Sequence, residues 1–235
     1  MNSIPKVAIV MPYYNESELL KHSVNGILRQ TYINWKLFIV DDGSSKENRA
    51  DHNIIQNQQI KIINKPNSGV SDARNRAIDH IQAEGKFTHI AYCDADDVWD
   101  SMHLQESLAS LESLNVDFIY SVPEFKFTDG TQAVPYGIPI YNRYPGIEKL
   151  QEQNFIWISG VVHKIKCLQP EGFDGKLNSL EDWDMWLRIA RSGFTIEHSL
   201  FKSPSFVYTV KPSGGNGSKC TDEIKNNLKA KHYIK

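Results

Sequence analysis

The sequence predicts an α/β protein with a mostly parallel central sheet, and three observations support this fold class. In the first half of the chain, short continuous apolar runs alternate with longer segments whose apolar residues recur at helical spacing. Strands that alternate with helices in this way form parallel sheets with right-handed crossovers. Polar loops follow the apolar runs, and the 235 residues, 40% of them hydrophobic, are enough to bury a sizeable core. We therefore expect one central sheet flanked by helices.

The predicted strands are apolar runs bounded by polar or turn-forming residues. The first, residues 7–11, reads VAIVM and has no polar member, which is typical of a strand buried on both faces. The others are predicted at residues 35–40, 60–63, 89–93 and 117–120. The second of these runs directly into DDGS, a loop signal.

Four segments carry the apolar spacing of amphipathic helices. Two of them span residues 17–30 and 70–81. A third follows Asp100 or Ser101, either of which can cap it. The fourth, residues 178–192, reads NSLEDWDMWLRIARS and has an acidic start.

The second half of the chain is less regular. Residues 123–145 are rich in Pro, Gly and Tyr, which favours loops and a hairpin, and residues 206–210 predict a strand. Residues 213–218, SGGNGS, predict a flexible loop, and a short helical pattern starts at Asp222. The tail is rich in lysine: Lys219, Lys225, Lys229, Lys231 and Lys235. These lysines predict either a solvated helix or peripheral contact with an anionic membrane surface.

Composition excludes several classes of protein. Lys and Arg number 26 against 28 Asp and Glu, so the net charge is -2, and a nucleic-acid binder would show a basic excess. No apolar run approaches the ~18 residues that span a bilayer, and the first residues lack a signal-peptide pattern. Cys93, Cys167 and Cys220 have no metal-ligand or disulfide spacing. We expect a cytoplasmic protein, with or without peripheral contact with the inner face of the cell membrane.

Polar clusters follow the first four predicted strands. They are residues 12–15 (PYYN), 41–42 (DD), 67–69 (NSG) and 94–97 (DADD). Ligands bind outside the carboxyl ends of parallel strands, where these loops meet. The sequence therefore predicts one site at that edge of the sheet.

Asp94-Ala95-Asp96 forms a DxD pattern at a predicted strand end. Two carboxylates two residues apart can share a hard cation that also holds a diphosphate. The alternative is an acidic turn before a helix N-terminus, and for an isolated motif that interpretation is favoured. The position at the shared sheet edge favours the cation.

Each of the other candidate site residues also has a purely structural interpretation. Asp41 either forms a turn or accepts hydrogen bonds from a base or ribose, and Tyr14 either packs or stacks on a base. Arg74 either binds phosphate near a helix N-terminus or pairs at the surface with Asp72 or Asp79.

Glu181 and Asp182 begin the fourth predicted helix. Acidic residues there compensate the helix dipole, and a carboxylate can equally serve as a general base for an attacking hydroxyl. The sequence alone favours neither of these two interpretations.

Four stretches in this order resemble a family 2 glycosyltransferase with the GT-A fold, of the type that builds bacterial surface polysaccharides. They are VAIVMPYYNESELLKHSVNGILRQTYINWKLFIVDDGS, NSGVSDARNRAI, YCDADD and EGFDGKLNSLEDWDMWLRIARSGF. Each stretch is a weak signal, whereas the ordered set is specific and covers most of the chain from Val7 to Tyr208.

The resemblance implies a nucleotide-sugar donor, most often a UDP-sugar. On the donor side, Pro12 and Tyr14 match positions that contact the nucleobase, and Asp41 matches the aspartate that reads the base edge. Arg74 matches an arginine near the diphosphate, and Asp94 the ribose-side member of the DxD.

The resemblance also implies a divalent cation, Mn²⁺ or Mg²⁺, on Asp96. Asp182 matches the catalytic base of inverting members. Gly160, Glu181 and Trp183 fall on the acceptor side, where a saccharide or lipid-linked saccharide would offer its hydroxyl.

The domain organisation expected from the resemblance is a single domain over residues 1–235. Residues 1–100 would form the nucleotide-binding half, 101–212 the acceptor half with a smaller mixed sheet, and 213–235 the tail. Many relatives have a histidine after the last strand where this chain has Lys211-Pro212, which leaves the third metal ligand open.

Two other functions compete with sugar transfer. A sugar nucleotidyltransferase usually has a basic, glycine-rich loop after the first strand, whereas PYYNES contains no Lys or Arg. A non-catalytic nucleotide-sugar binder would keep Tyr14 and Asp41 but could lose the base, and here Glu181-Asp182 is intact.

Overall fold

A computed structural model of the protein describes residues 4–53, 57–127, 132–133, 147–177, 179–211 and 222–232. The strands are β1 (Val7–Tyr13), β2 (Trp35–Asp41), β3 (Ile60–Asn64), β4 (His89–Tyr92), β5 (Val98–Trp99), β6 (Phe118–Tyr120), β7 (Pro123–Phe127), β8 (Gln132–Ala133), β9 (Val161–Lys164), β10 (Ile196–His198) and β11 (Phe206–Val210). The helices are α1 (Ser17–Leu28), α2 (Ala50–Asn53), α3 (Val70–Glu84), α4 (His103–Ser113), α5 (Glu181–Arg191) and α6 (Asp222–His232).

The central sheet has the strand order β10-β6-β9-β4-β1-β2-β3. The pairs β4–β1, β1–β2, β2–β3 and β10–β6 are parallel, which confirms the predicted mostly parallel sheet. β9 is the exception, because it pairs antiparallel with both β4 and β6. The sequence analysis missed β9, since its four residues, VVHK, carry neither a long apolar run nor clear alternation.

Helices cover both faces of this sheet. Alternate residues of β1 enter different cores: Ala8 and Val10 pack in the cluster that holds apolar residues of α3 and α5. Val7, Ile9 and Met11 pack with apolar residues of α1 and α4 on the other face. All five side chains are fully buried, which explains why the strand is apolar at every position. Full burial of each larger side chain, such as valine or isoleucine, stabilises the fold by about 1.5–3 kcal/mol.

A second, smaller sheet has the order β5-β11-β7-β8. β11 pairs parallel with β7 and antiparallel with β5, so the sheet is mixed, as the resemblance implied. The predicted hairpin is present as β7 and β8, while residues 128–131 and 134–146 lie outside the described residues. β5, which was not predicted, follows directly on residues 94–97 and brings the second sheet to them.

The helix predicted to start at residue 178 begins later, at Glu181. Leu180 has a φ of +64°, and this left-handed backbone ends any helical run that comes from the N-terminal side. Residue 178 itself lies outside the described residues. Glu181 and Asp182 therefore occupy the first turn of α5.

The predicted tail helix, α6, packs on the domain. Leu228 is buried in the core, and the Lys231 ammonium lies 2.9 Å from Asp174 and 2.7 Å from Asp184. This lysine therefore serves the fold. The predicted loop at residues 213–218 lies outside the described residues, as do Lys219 and Lys235, and membrane contact by the tail stays a prediction. Within the described ranges, every helix is too short or too polar to cross a bilayer.

Candidate active site

The carboxyl ends of β1, β2, β3 and β4 meet at one edge of the central sheet, because these strands are parallel neighbours. β9 runs the other way, so the residues that precede it, Ile158–Gly160, lie at the same edge. The edge therefore collects the predicted polar loops and also a segment that the sequence analysis did not place there.

A cavity of about 280 Å³ opens beyond β2 and β3. It is lined by Asp41, Gly43, Ser44, Arg49, Asn64, Lys65 and Pro66. The Asp41 carboxylate accepts hydrogen bonds from the Ser44 and Ala50 amides, both at 2.8 Å, and is almost completely buried. Asp41 thus shapes the loop that forms the cavity, and its role in reading a base stays a prediction.

Gly43 lets two loops of the cavity meet. Its φ is +81°, and a Cβ there would lie 2.6 Å from the Asn67 amide nitrogen. Tyr14 flanks this region with 51% of its surface exposed, so its ring is accessible. Pro12 is buried within β1 beside Val40, where it forms part of the sheet.

Asp42 ties the end of β2 to the start of α3. Its carboxylate accepts hydrogen bonds from the Ser68 amide at 2.9 Å and the Gly69 amide at 2.8 Å, and it pairs with Lys65. Lys65 also pairs with Asp72 at 2.8 Å. The surface pairing of Arg74 with Asp72 or Asp79 that the sequence analysis considered is wrong, because Arg74 is buried and pairs with Asp94 and Glu181.

The acidic cluster consists of Asp94, Asp96 and Asp97, whose carboxylate oxygens lie within 4.8 Å of one another. Asp97 is 1% exposed, and its carboxylate accepts from the Ser159 hydroxyl at 2.6 Å and the Thr209 amide at 3.1 Å. Burial and the charges of Asp96 and Asp94 raise the pKa of Asp97 well above its usual range. Asp97 therefore anchors β11 to the cluster, while Asp94 and Asp96 are partly accessible.

Two protein cations offset the charge of the acidic cluster. Arg74, which is buried, places Nη2 2.9 Å from Asp94 Oδ1 and Nη1 2.7 Å from Glu181 Oε1. The Lys211 ammonium lies 2.9 Å from Asp96 Oδ2 and 2.6 Å from both carboxylate oxygens of Glu16. Arg74 thus joins the loop after β4 to the first turn of α5.

The acidic cluster fits a divalent cation by the chemistry of its donors. Hard ions such as Mg²⁺ and Mn²⁺ favour carboxylate oxygens, and Mg²⁺ takes one or two of them together with phosphate oxygens. Asp94 and Asp96 each keep side-chain surface accessible, 28% and 27% respectively. These two residues would hold the ion.

Asp182 lies in the first turn of α5, next to Glu181, which Arg74 links to the acidic cluster. Asn154 Nδ2 donates to Asp182 Oδ2 at 3.1 Å, and the Trp183 amide donates to Oδ1 at 2.7 Å. Burial, followed by the charge of Glu181, raises the pKa of Asp182 to about 7. A carboxylate with this pKa can accept a proton near neutral pH.

Trp183 and Gly160, predicted on the acceptor side, have structural roles. Trp183 is 2% exposed, and its Nε1 donates to the Leu150 carbonyl at 2.6 Å, so its ring belongs to the core. At Gly160 a Cβ would lie 2.6 Å from the Ser121 carbonyl oxygen and 2.8 Å from the Phe206 ring. Direct contact of Trp183 or Gly160 with an acceptor stays a prediction, and the burial of both residues argues against it.

The sequence analysis missed Asn154, Ser159 and Thr209. They reach Asp182 and the acidic cluster from segments 28 to 112 residues away in sequence. Single polar residues at such distances give no local pattern, so the topology alone reveals them.

Comparison with known proteins agrees with this geometry. The profile of the family described as Glycosyl transferase family 2 matches residues 8–163, more than half of the chain. The protein belongs to this family. The family assignment implied by the sequence resemblance is therefore confirmed.

Among curated relatives, this family 2 chain is 35% identical over 115 residues to the UDP-Glc:alpha-D-GlcNAc-diphosphoundecaprenol beta-1,3-glucosyltransferase WfgD of Escherichia coli. That match covers 48% of this chain and 44% of WfgD, so it spans less than half of either protein. The putative colanic acid biosynthesis glycosyl transferase WcaA of Escherichia coli (strain K12) is 28% identical over 200 residues, which cover 80% of this chain and 67% of WcaA.

Solved structures confirm the GT-A fold of this family 2 chain. S. aureus TarS 1-349 in complex with UDP-GlcNAc superposes with a TM-score of 0.70 at 16% identity, over 95% of this chain and 65% of that one. The mannosyltransferase PcManGT from Pyrobaculum calidifontis in complex with GDP-Man and Mn2+ superposes with a TM-score of 0.61 at 16% identity. The superposition covers 97% of this chain and 61% of that one.

Proposed function

We propose that the protein transfers a sugar from a UDP-sugar to a hydroxyl of a saccharide or lipid-linked saccharide during synthesis of a bacterial surface polysaccharide. One observation carries this proposal: Arg74 bridges Asp94 and Glu181, at 2.9 and 2.7 Å. The bridge joins the acidic cluster, suited to a diphosphate with its cation, to the turn that holds a candidate general base.

The donor's nucleotide is assigned to the cavity beyond β2 and β3. Asp41 lines this cavity and could accept hydrogen bonds from the polar edge of a base. The Tyr14 ring, which follows β1 and is exposed, could stack on the face of the same base. The names of two relatives support uracil: WfgD uses UDP-Glc, and TarS was solved with UDP-GlcNAc.

The diphosphate is assigned to the space beside Asp94 and Asp96. These two carboxylates would hold a Mn²⁺ or Mg²⁺ ion, which would supply Lewis-acid stabilisation to the leaving diphosphate. Arg74 keeps Asp94 in place, and the Lys211 ammonium adds a second positive charge beside Asp96.

Asp182 is assigned as the general base. Its carboxylate accepts the proton of the acceptor hydroxyl while that oxygen attacks the anomeric carbon from the face opposite the diphosphate. The new C–O bond forms as the bond to the phosphate oxygen breaks, so a single displacement inverts the configuration. The Asn154 amide orients one carboxylate oxygen, and the raised pKa of Asp182 suits proton transfer near pH 7.

The proposed location is the cytoplasm. Cys93 and Cys167 are buried free thiols, as expected of a reducing compartment.

The test is release of UDP from a panel of UDP-sugars, offered with candidate saccharide acceptors and Mn²⁺. We expect one UDP-sugar to be consumed by the wild-type protein, and Asp182→Asn to lower the rate 10²–10⁴-fold with UDP affinity unchanged. NMR of the product should show an anomeric configuration opposite to that of the donor. A retained configuration, or near-full activity of Asp182→Asn, would contradict the assignment.

A further inference from the structure

Three partly buried aromatic side chains meet at Phe125: two lie on the second sheet, and the third, Trp157, lies in the segment just before β9. The Phe125 ring centroid lies 5.6 Å from that of Trp157 and 5.6 Å from that of Tyr208. Phe125 and Tyr208 are register partners on β7 and β11. We call these three residues the aromatic wall. Its partial exposure separates it from the core aromatics, such as Trp99 and Trp183, which are each 2% exposed.

Trp157 lies on a segment that is anchored to both halves of the active site. Three residues before it, Asn154 donates to the Asp182 carboxylate at 3.1 Å. Two residues after it, the Ser159 hydroxyl donates to Asp97 at 2.6 Å and accepts from the Asp94 amide at 3.0 Å. The Trp157 backbone is thereby held between the candidate base and the acidic cluster.

Tyr208 approaches the same place from β11. The next residue, Thr209, donates its amide to Asp97 at 3.1 Å and its hydroxyl to the Asp96 carbonyl. Burial raises the pKa of the Tyr208 phenol, and the charges of the acidic cluster and of Asp182 raise it further. The aromatic wall thus borders the space where a hydroxyl could reach Asp182.

The polar ends of the wall are available to a ligand. Across the described residues, the Trp157 indole N–H and the Tyr208 hydroxyl make no hydrogen bond, whereas Trp99 and Trp183 donate to the Ser159 and Leu150 carbonyls. Tyr and Trp that present an apolar face and an unused polar group typically bind ligands with both characters.

A pyranose ring has both characters. Its axial C–H bonds form an apolar, electropositive face that matches the electronegative face of an aromatic ring, and its hydroxyls lie around the rim. The nucleotide is assigned elsewhere, to the cavity beyond β2 and β3 that includes Asp41 and Lys65. The wall is therefore left for the sugar that carries the attacking hydroxyl.

We propose that Phe125, Trp157 and Tyr208 form the acceptor subsite, where a hexopyranose ring of the acceptor stacks on the wall and its reactive hydroxyl points to Asp182. The proposal rests on the proposed function and deepens it. It replaces Trp183, which is buried, as the aromatic contact on the acceptor side.

The test uses saturation-transfer difference NMR on the full chain with UDP and Mn²⁺, and a panel of octyl glycosides as probes. The panel includes octyl α-N-acetylglucosaminide, because the WfgD acceptor carries α-D-GlcNAc. At least one glycoside should receive saturation on its ring protons in the wild-type protein. Trp157→Ala should weaken its binding about tenfold, the size of one stacked aromatic contact.

Matched variants separate stacking from general disruption. Trp157→Phe keeps a ring and should retain most of the binding, and Tyr208→Phe should lose only the contribution of the hydroxyl. Tyr32→Phe, whose hydroxyl bonds to the Pro5 carbonyl near the start of β1, should change nothing. UDP affinity by calorimetry should stay within twofold in all of them.

Three results would overturn the subsite. They are saturation confined to the octyl chain, no saturation of any ring in the wild-type protein while UDP binds, and unchanged ring saturation in Trp157→Ala. A loss of UDP-sugar affinity, but not of UDP affinity, in Trp157→Ala would assign the wall to the donor sugar and likewise overturn it. Failure of UDP itself to bind would instead contradict the proposed function, so the two failures are distinct.

Discussion

The Lys211 ammonium lies 2.9 Å from the Asp96 carboxylate and 2.6 Å from the Glu16 carboxylate. Lys211, which directly follows β11, therefore neutralises the charge of Asp96, the carboxylate proposed to bind the metal. Lys211 follows the last strand, where many family members carry a histidine. A bound cation and this ammonium would compete for the same carboxylate, although both favour a diphosphate nearby.

Replacement of Lys211 should therefore change metal affinity. We expect Lys211→Met to bind Mn²⁺ roughly tenfold more tightly without nucleotide, since a cation about 3 Å from the metal ligand is removed. Glu16→Gln should have the opposite effect, because Lys211 then pairs with Asp96 alone. Electron paramagnetic resonance titration of free Mn²⁺ measures both, with Lys21→Met, from the surface pair with Glu18, as the control. Equal Mn²⁺ affinity in Lys211→Met and the wild-type protein would disprove the competition.

The pH dependence of transfer should report Asp182. Burial and the adjacent charge of Glu181 raise the pKa of Asp182 to about 7, so the carboxyl is protonated below that pH and cannot accept a proton. We expect kcat/KM to rise with pH through about 7 and to level off above it. Glu181→Gln removes one cause of the shift and should move the rise to lower pH. A flat profile between about pH 5.5 and 8 would exclude Asp182 as the titrating base.

Loss of Arg74 should destabilise the fold. Arg74→Met leaves Asp94 and Glu181 close together without their shared cation, and breaking a buried pair costs about 3 kcal/mol. Urea unfolding measures the cost. The double variant Arg74→Met/Glu181→Gln should recover part of it, because one of the uncompensated charges is gone. If Arg74→Met were as stable as the wild-type protein, the bridge would have no structural role.

Asp184 should hold α6 on α5. It is fully buried and lies 2.8 Å from Arg188 Nε, 2.7 Å from Lys231 Nζ and 2.8 Å from His232 Nε2. Burial alone would raise the pKa of Asp184, but hydrogen bonds from His232 and Lys231 and the charge of Arg188 lower it well below its usual value. The stability that this site adds is therefore present above about pH 4 and is lost as the pH falls through the lowered pKa.

Asp184→Asn tests that site. We expect a loss of about 3 kcal/mol at pH 7, smaller at low pH, and faster amide hydrogen exchange in α6. The exposed pair Lys149–Glu152 offers a control, since Glu152→Gln should leave the urea unfolding midpoint unchanged. Unchanged exchange in α6 would show that Leu228 packing alone holds the helix.

Much of the sheet could be predicted from the sequence because local patterns of apolar residues mark its strands. β1 is a continuous apolar run because both of its faces are covered, and most residues of β2 and β4 are buried in the same way. A polar loop directly follows each of these three strands. Asp41, Asp94 and Asp96 could be placed at one edge for the same reason.

The rest depends on contacts that no local pattern encodes. β9 is short and enters the sheet antiparallel, so Ser159 reaches the acidic cluster from the opposite chain direction. Lys211 meets Glu16 across 195 residues of sequence. Asp97 anchors β11, because the unpredicted β5 brings the second sheet to it.

The most direct test of the central claim is thermal stability of the wild-type protein with UDP, GDP or dTDP, each with Mn²⁺, with Mg²⁺ or with EDTA. A ligand at 100 times its dissociation constant adds about 2.7 kcal/mol, which corresponds to about 5–10 °C for a chain of this size. We predict such a rise for UDP with Mn²⁺ or Mg²⁺ and little or none with EDTA. Absence of a rise with any nucleotide, or an equal rise with EDTA, would contradict a metal-assisted UDP-sugar site at Asp96.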